Sequence, residues 1–146
     1  GADRAVDYRS EDFVEVVKDV TNKRGVNVIL DMVGGDYVDR NIRSLGDDGR
    51  LVNIAYLKGS KVEVDMMRVM LKRLTLTGST LRIRRKVVKA GIARGVEEHL
   101  SPLLANKSIK VVIDSTFPLS EAGKAHERLD QGSHIGKIVL TVTAAA

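Results

Sequence analysis

The sequence predicts an α/β fold built on a doubly wound parallel sheet, and three observations support this. Strand-like and helix-like patterns alternate up to residue 106, which is typical of parallel strands joined by helical crossovers. Residues 26–33 are almost continuously apolar and rich in β-branched side chains, as in a strand that is buried on both faces. Gly34 and Gly78 interrupt two strand patterns near their carboxyl ends, where a strand is expected to pass into a loop.

The pattern of apolar residues predicts each element in turn. Strands are predicted where β-branched and apolar residues run together, and helices where apolar residues recur three and four positions apart. The predicted strands are residues 5–8, 26–33, 50–56, 74–80, 109–113 and 137–142. Ser10 and Ser120 are predicted to cap helices, and residues 46–49 are predicted to form a turn. Pro102 should kink the long helix after the fourth strand, or start a new turn, because it lacks a backbone donor.

Composition and hydropathy exclude several classes of protein. The chain has no cysteine, so disulfides and thiolate metal sites within it are excluded. No apolar run approaches the roughly 20 residues that a membrane-spanning helix needs, and the first residues lack the apolar stretch of a signal peptide. We therefore expect a cytoplasmic protein without a membrane partner.

The net charge of +5 and the isoelectric point near 9.6 raise the question of nucleic-acid binding. The densest basic stretch comprises Arg82, Arg84, Arg85, Lys86 and Lys89. No aromatic residue lies among these charges to stack on bases, so we interpret the stretch as the solvated start of a helix and expect no nucleic-acid partner. A non-enzymatic α/β module that binds polyanions through this stretch is the alternative.

Histidines and carboxylates give no persuasive catalytic or metal site. His99, His126 and His134 are far apart and lack the spacing of metal ligands, so we interpret them as structural or solvated and expect no metal. Asp31 follows an apolar strand, as a catalytic carboxylate can, but the sequence offers it no partner. A polar contact at the end of the sheet is the favoured interpretation. No catalytic residue is identified.

Ligands of parallel α/β sheets bind beyond the carboxyl ends of the strands. That rule nominates residues 8–9, 32–36, 54–57 and 78–81. The stretches around these places and at the chain end are GADRAVDYRSEDF (1–13), GVNVILDMVGGDY (25–37), GRLVNIAYLKG (49–59), KRLTLTGSTLR (72–82) and FPLSEAGKAHERLDQGSHIGKIVLTV (117–142). In their order and spacing the chain resembles the C-terminal half of NADPH:quinone oxidoreductases, the zeta-crystallin-like branch of the medium-chain dehydrogenase/reductase superfamily.

The resemblance implies a subunit with a GroES-like catalytic domain followed by a Rossmann coenzyme domain. Residues 1–107 then correspond to the NADP-binding domain, as a partial Rossmann fold that lacks its first two strands and the glycine-rich turn that binds pyrophosphate. Residues 108–146 correspond to the segment that returns toward the catalytic domain. The outer edge of strand 26–33 is then unpaired, and we expect a second copy, strand 5–8 or strand 137–142 to cover it.

The activity that the resemblance implies for the parent enzyme is hydride transfer from NADPH to a quinone or another electrophilic, conjugated carbonyl, without zinc. Enoyl-thioester reduction on the same scaffold is an alternative. The branch usually forms dimers through the strand at residues 74–80, so a homo-oligomer is expected. Because most pyrophosphate contacts belong to the glycine-rich turn, we expect these residues alone to be inactive and to bind NADPH poorly.

The resemblance also implies a set of cofactor-binding positions. These are Tyr8, Met32, Val33, Gly34, Ile54, Ala55, Tyr56, Leu57, Ser79, Thr80, Leu81 and Lys137. Tyr8 matches a tyrosine that lies against the adenosine 2′-phosphate, or it simply ends an edge strand. Residues 32–34 match the ribose side, residues 54–57 the nicotinamide half, and residues 79–81 a segment that closes the pocket or only caps the next helix. Lys137 enters the site from the chain end or merely flanks a strand.

Overall fold

The computed structural model describes residues 2–142. Residue 1 and residues 143–146, which belong to the predicted Rossmann and C-terminal segments, lie outside them. The elements in chain order are α1 (Phe13–Val20), β1 (Val26–Asp31), α2 (Tyr37–Ser44), β2 (Leu45–Asn53), α3 (Met66–Leu71), β3 (Thr75–Gly78), α4 (Lys86–Ala105), β4 (Ile113–Pro118), a 3-10 turn (Leu119–Glu121), α5 (Ala122–Asp130) and β5 (Lys137–Thr141). None of the helices in this described part is long and apolar enough to cross a membrane.

The chain forms two compact units, Gly1–Arg85 and Lys86–Ala146. In the first unit, β1, β2 and β3 form one sheet in that order, and both strand pairs are parallel. Ile29, Leu51 and Leu76 lie side by side across the three strands. The predicted α/β class with parallel pairing is therefore confirmed. The functional division at residue 107 stays a prediction.

The core of the first unit lies on one face of this sheet. Val38 and Ile42 are one helical turn apart on α2, and they pack with Leu45 and Leu51 of β2 in a buried cluster. Burying side chains of this size contributes about 1.5–3 kcal/mol each. The cluster fixes α2 against the sheet, and it thereby fixes where the loop between β1 and α2 runs.

The other face of the sheet is open within residues 2–142, so the expectation of a strand buried on both faces was wrong for these residues. Val28 and Leu30 of β1 are 62% and 63% exposed. Neither residues 5–8 nor β5 pairs with the outer edge of β1, so the expected cover by either strand was also wrong. The reason is that β5 pairs with β4 instead, and residues 5–8 are not a strand.

Residues 5–8 were predicted as a strand, but they form an irregular segment that leads into a turn. Asp7 explains this, because its carboxylate accepts hydrogen bonds from the backbone N–H of Arg9 (3.0 Å) and the hydroxyl of Ser10 (3.2 Å). Such local bonds compete with strand pairing. They also engage Ser10, so the predicted cap at Ser10 was wrong. Asp12 caps α1 instead, by accepting a bond from Val14 N at 3.0 Å.

Residues 46–49 were predicted as a turn, but they form a bulge inside β2. Pairing with β1 passes from Leu45 directly to Arg50, and one residue of the bulge has a positive φ of 58°. The bulge is held because Gly25 lies against Gly46: a Cβ added to Gly25 would be 2.5 Å from Gly46 N. The residues of this segment favour a turn, but the close contact between Gly25 and Gly46 keeps the segment within the sheet.

The second unit contains α4 and a two-stranded parallel sheet of β4 and β5, with α5 between them in sequence. The predicted strand at 109–113 was wrong, since β4 begins where that prediction ended. The polar residues Asp114 and Ser115 sit within β4, because Arg128 binds the Asp114 carboxylate at 2.8 and 3.0 Å. The predicted cap at Ser120 was also wrong. The 3-10 turn that contains it runs directly into α5, whose N-cap is Glu121.

Candidate functional site

The carboxyl ends of β1, β2 and β3 lie next to one another at one end of the sheet. We call residues 32–36 the first loop, residues 54–59 the second loop and residues 79–82 the third loop. They follow β1, β2 and β3 respectively. Eleven of the twelve predicted cofactor-binding positions, all except Lys137, lie in the first unit, and ten of these eleven lie in the three loops.

Backbone hydrogen bonds join the first two loops. The donor–acceptor pairs are Ile54 N to Asp31 O (2.8 Å), Leu57 N to Met32 O (3.2 Å), Lys58 N to Val33 O (2.7 Å) and Gly35 N to Gly59 O (2.8 Å). These bonds continue the pairing of β1 and β2 beyond the strands. The structure therefore brings Met32, Val33, Ile54 and Leu57 together, as the sequence predicted for neighbouring strand ends.

Gly34 is the tightest point between these loops. Its φ of +67° is one that residues with a side chain rarely adopt. A Cβ at this position would lie 2.7 Å from Gly59 O and 2.7 Å from Tyr56 Cδ1. Tyr56 is half-exposed, and its ring contacts the space that a side chain at position 34 would fill. The missing side chain therefore allows the two loop backbones to approach closely.

Asp31 and Asn53 lie beneath the loops at the last positions of β1 and β2. They are 4% and 9% exposed. Asp31 Oδ1 accepts from Val33 N at 2.7 Å, and Asp31 Oδ2 accepts from Gly34 N at 3.2 Å and from Asn53 Nδ2 at 2.9 Å. The interpretation of Asp31 as a polar contact at the end of the sheet agrees with this geometry. Its partner Asn53 was missed, although a lone amide inside the apolar pattern of a strand is a detectable signal.

The third loop joins the same end of the sheet through Ser79, whose backbone N–H donates to Asn53 O at 2.9 Å. Thr80 is bonded through its carbonyl, which accepts from Arg84 Nε at 3.3 Å. Leu81 is exposed. Ser79 is thus brought next to the second loop, while Thr80 and Leu81 continue into the turn that precedes α4.

A cluster of aromatic and basic side chains flanks the first two loops. The rings of Phe13 and Tyr37 are stacked with centroids 5.6 Å apart, and the Arg40 guanidinium lies 4.3 Å and 5.0 Å from these centroids. Lys58 of the second loop lies 4.8 Å from the Tyr37 ring and 3.4 Å from the Asp36 carboxylate. The cluster connects the start of α2 to the second loop and places aromatic rings and ion-paired basic side chains at the flank of the site.

Tyr8 and Lys137 are not part of the three loops. Tyr8 is 63% exposed in the turn before α1, with the Arg9 guanidinium 5.9 Å from its ring. Lys137 begins β5 in the second unit, where its N–H donates to Val112 O at 2.9 Å. Together with His126 and His134 it lines a cavity of about 320 Å³ beside α5.

A cleft of about 800 Å³ lies at the opposite, amino end of β1 and is lined by the turn after α1, including Lys23 and Arg24. Polar groups of that turn form hydrogen bonds within the turn. Thr21 Oγ1 accepts from Gly25 N at 3.0 Å, and Arg24 Nε donates to Thr21 O at 3.2 Å. We therefore assign the candidate site to the carboxyl ends of the strands. Among residues 2–142 there is no cluster of three or more histidines and carboxylates that could hold a metal; a zinc-free protein stays a prediction.

Comparison with known proteins identifies the family of the chain. Residues 1–140 match the family described as zinc-binding dehydrogenase. The highly reducing polyketide synthase frbB of Dothideomycetidae sp. (strain 11243) is 31% identical over 96% of the chain, which spans 5% of that protein. Quinone oxidoreductase-like protein 2 of Bos taurus is 28% identical over 97% of the chain, and 2-haloacrylate reductase of a Burkholderia species is 29% identical over 96%. The chain spans 40% and 42% of these two relatives.

A solved structure of a mycobacterial protein complexed with NADPH superimposes with a TM-score of 0.74. It is 27% identical, and the alignment covers 97% of this chain and 44% of that one. The fold and the sequence relationships agree, and the resemblance to the quinone oxidoreductase branch of the medium-chain dehydrogenase/reductase superfamily is confirmed. The chain belongs to the zinc-binding dehydrogenase family.

Proposed function

We propose that these residues form the cofactor-flanking part of an NADPH-dependent oxidoreductase that transfers hydride to a quinone or another electrophilic, conjugated carbonyl. The observation that carries the proposal is the close contact of the first and second loops at Gly34, at the carboxyl ends of parallel strands. A dinucleotide needs a backbone surface that it can approach closely at such a place. The names of the quinone oxidoreductase-like and haloacrylate reductase relatives support the reaction class.

The proposed roles follow the order of the loops. Met32, Val33 and Gly34 lie along the ribose, and Ile54, Ala55, Tyr56 and Leu57 along the nicotinamide half. Ser79, Thr80 and Leu81 close the pocket, Tyr8 lies at the 2′-phosphate, and Lys137 enters from the chain end. NADPH would supply the hydride when it is bound. The chain's own residues orient the nicotinamide and exclude water, and positioning of this kind is itself a large part of catalysis.

We further propose the domain division given by the resemblance, with residues 1–107 in the coenzyme domain and residues 108–146 in the segment that returns to a catalytic domain. NADPH binding by the isolated chain should be weak, since pyrophosphate is bound mainly by a helix N-terminus after a glycine-rich turn. Titration of the isolated chain with NADPH, followed by nicotinamide fluorescence, measures this. Micromolar affinity would contradict the expectation.

Enoyl-thioester reduction is the second candidate. It is favoured by the polyketide synthase relative, which has the highest identity among the relatives described above. Both reactions add hydride to a conjugated carbonyl compound, so the loops would serve either one. They differ in the acceptor and not in the cofactor.

The test is an assay of the full-length protein that contains these residues. NADPH consumption is followed with a quinone, a conjugated ketone and an enoyl thioester as separate acceptors, and with NADH in place of NADPH. Faster turnover of the quinone or the ketone supports the first candidate, and faster turnover of the thioester supports the second. Failure to oxidise NADPH with every acceptor would overturn both.

Assembly and location belong to the same proposal. The outer edge of β3 is unpaired among residues 2–142, because β3 ends the sheet. A homodimer through this edge would complete its hydrogen bonds. Light scattering on the full-length protein measures the molar mass, and a monomer would contradict the dimer. A cytoplasmic location is expected as well, and imaging of the tagged full-length protein checks it.

A further inference from the structure

We propose that Asp31 and Asn53 are positioning residues for the cofactor site: their buried hydrogen-bonded pair sets the spacing of the first and second loops. The inference rests on the proposed function, because it assigns the pair a role in holding the loops for NADPH. It concerns two side chains that lie behind the loops rather than on their outer surface. Both are buried at the ends of adjacent strands.

The hydrogen bonds of the Asp31 carboxylate support this role. It accepts bonds from two successive backbone N–H groups of the first loop, at Val33 and Gly34. A buried carboxylate requires such bonds, because an unsatisfied charge away from water is very unfavourable. The carboxylate therefore holds the first two residues after Met32 in one conformation. Rotation of its side chain would release both N–H groups.

Asn53 extends the same network to the other loops. Its Nδ2 donates to Asp31 Oδ2 at 2.9 Å, which joins the ends of β1 and β2. Its backbone oxygen accepts from Ser79 N at 2.9 Å, and Asp31 O accepts from Ile54 N at 2.8 Å. The side-chain pair thus lies at the start of the first and second loops, and the third loop is bonded to the backbone of Asn53. A shift in the distance between the two side chains therefore changes the spacing of the first two loops.

Asn53→Asp is the informative substitution, because it changes the chemistry with almost no change in shape. It replaces the amide donor by a second carboxylate within hydrogen-bond distance of Asp31, and like charges at this distance repel. The double variant Asp31→Asn with Asn53→Asp restores one carboxylate and one amide facing each other. Asn41→Asp is the matched control, since Asn41 is equally buried at 5% exposure but lies on α2.

The experiment uses the full-length protein with NADPH and the acceptor that it turns over fastest. We expect Asn53→Asp to raise KM for NADPH about tenfold or more, since small displacements of positioning groups have effects of this size. KM for the acceptor should change less. The double variant should reverse part of this rise in KM, while Asn41→Asp should leave KM for NADPH unchanged even if it lowers the stability of the fold. Hydrogen–deuterium exchange should show faster exchange in residues 32–36 and 54–59 for Asn53→Asp only.

The outcomes separate the two proposals. If the wild-type protein oxidises NADPH but Asn53→Asp behaves like Asn41→Asp, the positioning role is overturned and the proposed function stands. If exchange in the loops rises without a change in KM, the pair is structural only and the positioning role is again overturned. If the wild-type protein does not use NADPH at all, the proposed function fails, and with it the role assigned to the pair.

Discussion

Arg128 binds Asp114 at two points, with Nη2–Oδ1 and Nε–Oδ2 distances of 2.8 and 3.0 Å. This pair joins α5 to β4, and Ile135 N adds a third bond to Asp114 Oδ1 at 3.1 Å. The Arg128 guanidinium, helped by the Ile135 N–H, lowers the pKa of Asp114 from 3.8 to about 2. The second unit therefore depends on an ionised carboxylate between its helix and its strands.

The first prediction concerns acid stability of the second unit. Because the pKa of Asp114 is lower in the folded state, its contribution is fully present above pH 3.8 and is lost as the pH falls toward about 2. Asp114→Asn should lower stability at neutral pH and remove part of the further loss in that acidic window. Urea unfolding followed across this pH range measures both effects. Glu121→Gln, in an exposed pair with Lys124, is the control and should change little; equal effects of the two variants would contradict the prediction.

The second prediction concerns the close contact at Gly34. Gly34→Ala should destabilise the fold by about 1–3 kcal/mol, because it adds backbone strain and a clash with the second loop. Gly132→Ala is the matched control: its φ is +65°, but no atom lies within 4 Å of an added Cβ. It should show only the strain, about 1 kcal/mol. Denaturant unfolding of both variants gives the difference that is due to the contact, and equal losses would show that the contact contributes nothing.

The third prediction concerns Arg40, which covers the rings of Phe13 and Tyr37 and pairs with Asp12 at 3.0 Å. Its hydrogen bond is also the main cause of the lowered pKa of Asp12. Arg40→Met keeps most of the aliphatic stem but removes the cation, and it should cost about 1 kcal/mol. Arg43→Met, at an exposed position on the same helix, should cost less. Thermal unfolding compares the two, and a larger loss for Arg43→Met would contradict the cation–ring interaction.

The fourth prediction concerns the open face of the sheet. Leu30 is 63% exposed in the present chain. Leu30→Lys should therefore change the free energy of unfolding of this chain by less than about 0.5 kcal/mol. In the full-length protein, with the proposed coenzyme domain complete, the same position should be buried, and an unpaired charge there should cost about 3 kcal/mol or more. Unfolding of both proteins measures the contrast. A small effect in the full-length protein would mean that nothing covers this face.

Secondary structure was predicted most accurately from the sequence where the pattern of apolar residues decides the structure. The parallel strands near Ile29, Leu51 and Leu76 and the strand that begins at Lys137 follow directly from such patterns. The predictions failed where a polar side chain bonds to a distant or local partner. The predicted strand at residues 109–113 stopped before Asp114, because the partner Arg128 lies 14 positions further along the chain. Asp7 disrupted a predicted strand through bonds to its own neighbours.

The location of the candidate site could be predicted from the sequence, but the hydrogen bonds between its buried side chains could not. The rule for parallel sheets places Met32, Ile54 and Ser79 at one end of the sheet, and the structure brings their loops together. The pair of Asp31 and Asn53 could not be derived from one strand at a time. Its hydrogen bond depends on the register between β1 and β2, and register is a property of the folded sheet.

The parallel pairing of β1 and β2 has a consequence for synthesis on the ribosome. Two strands that run the same way cannot close as a hairpin, so β1 cannot pair with β2 until the crossover and β2 itself have been translated. Asp31 and Asn53 are 22 positions apart, and translation adds about 5–20 residues per second. The edge of β1 that pairs with β2 therefore stays unpaired for about one to four seconds, and we expect nascent-chain chaperones to engage it during that interval.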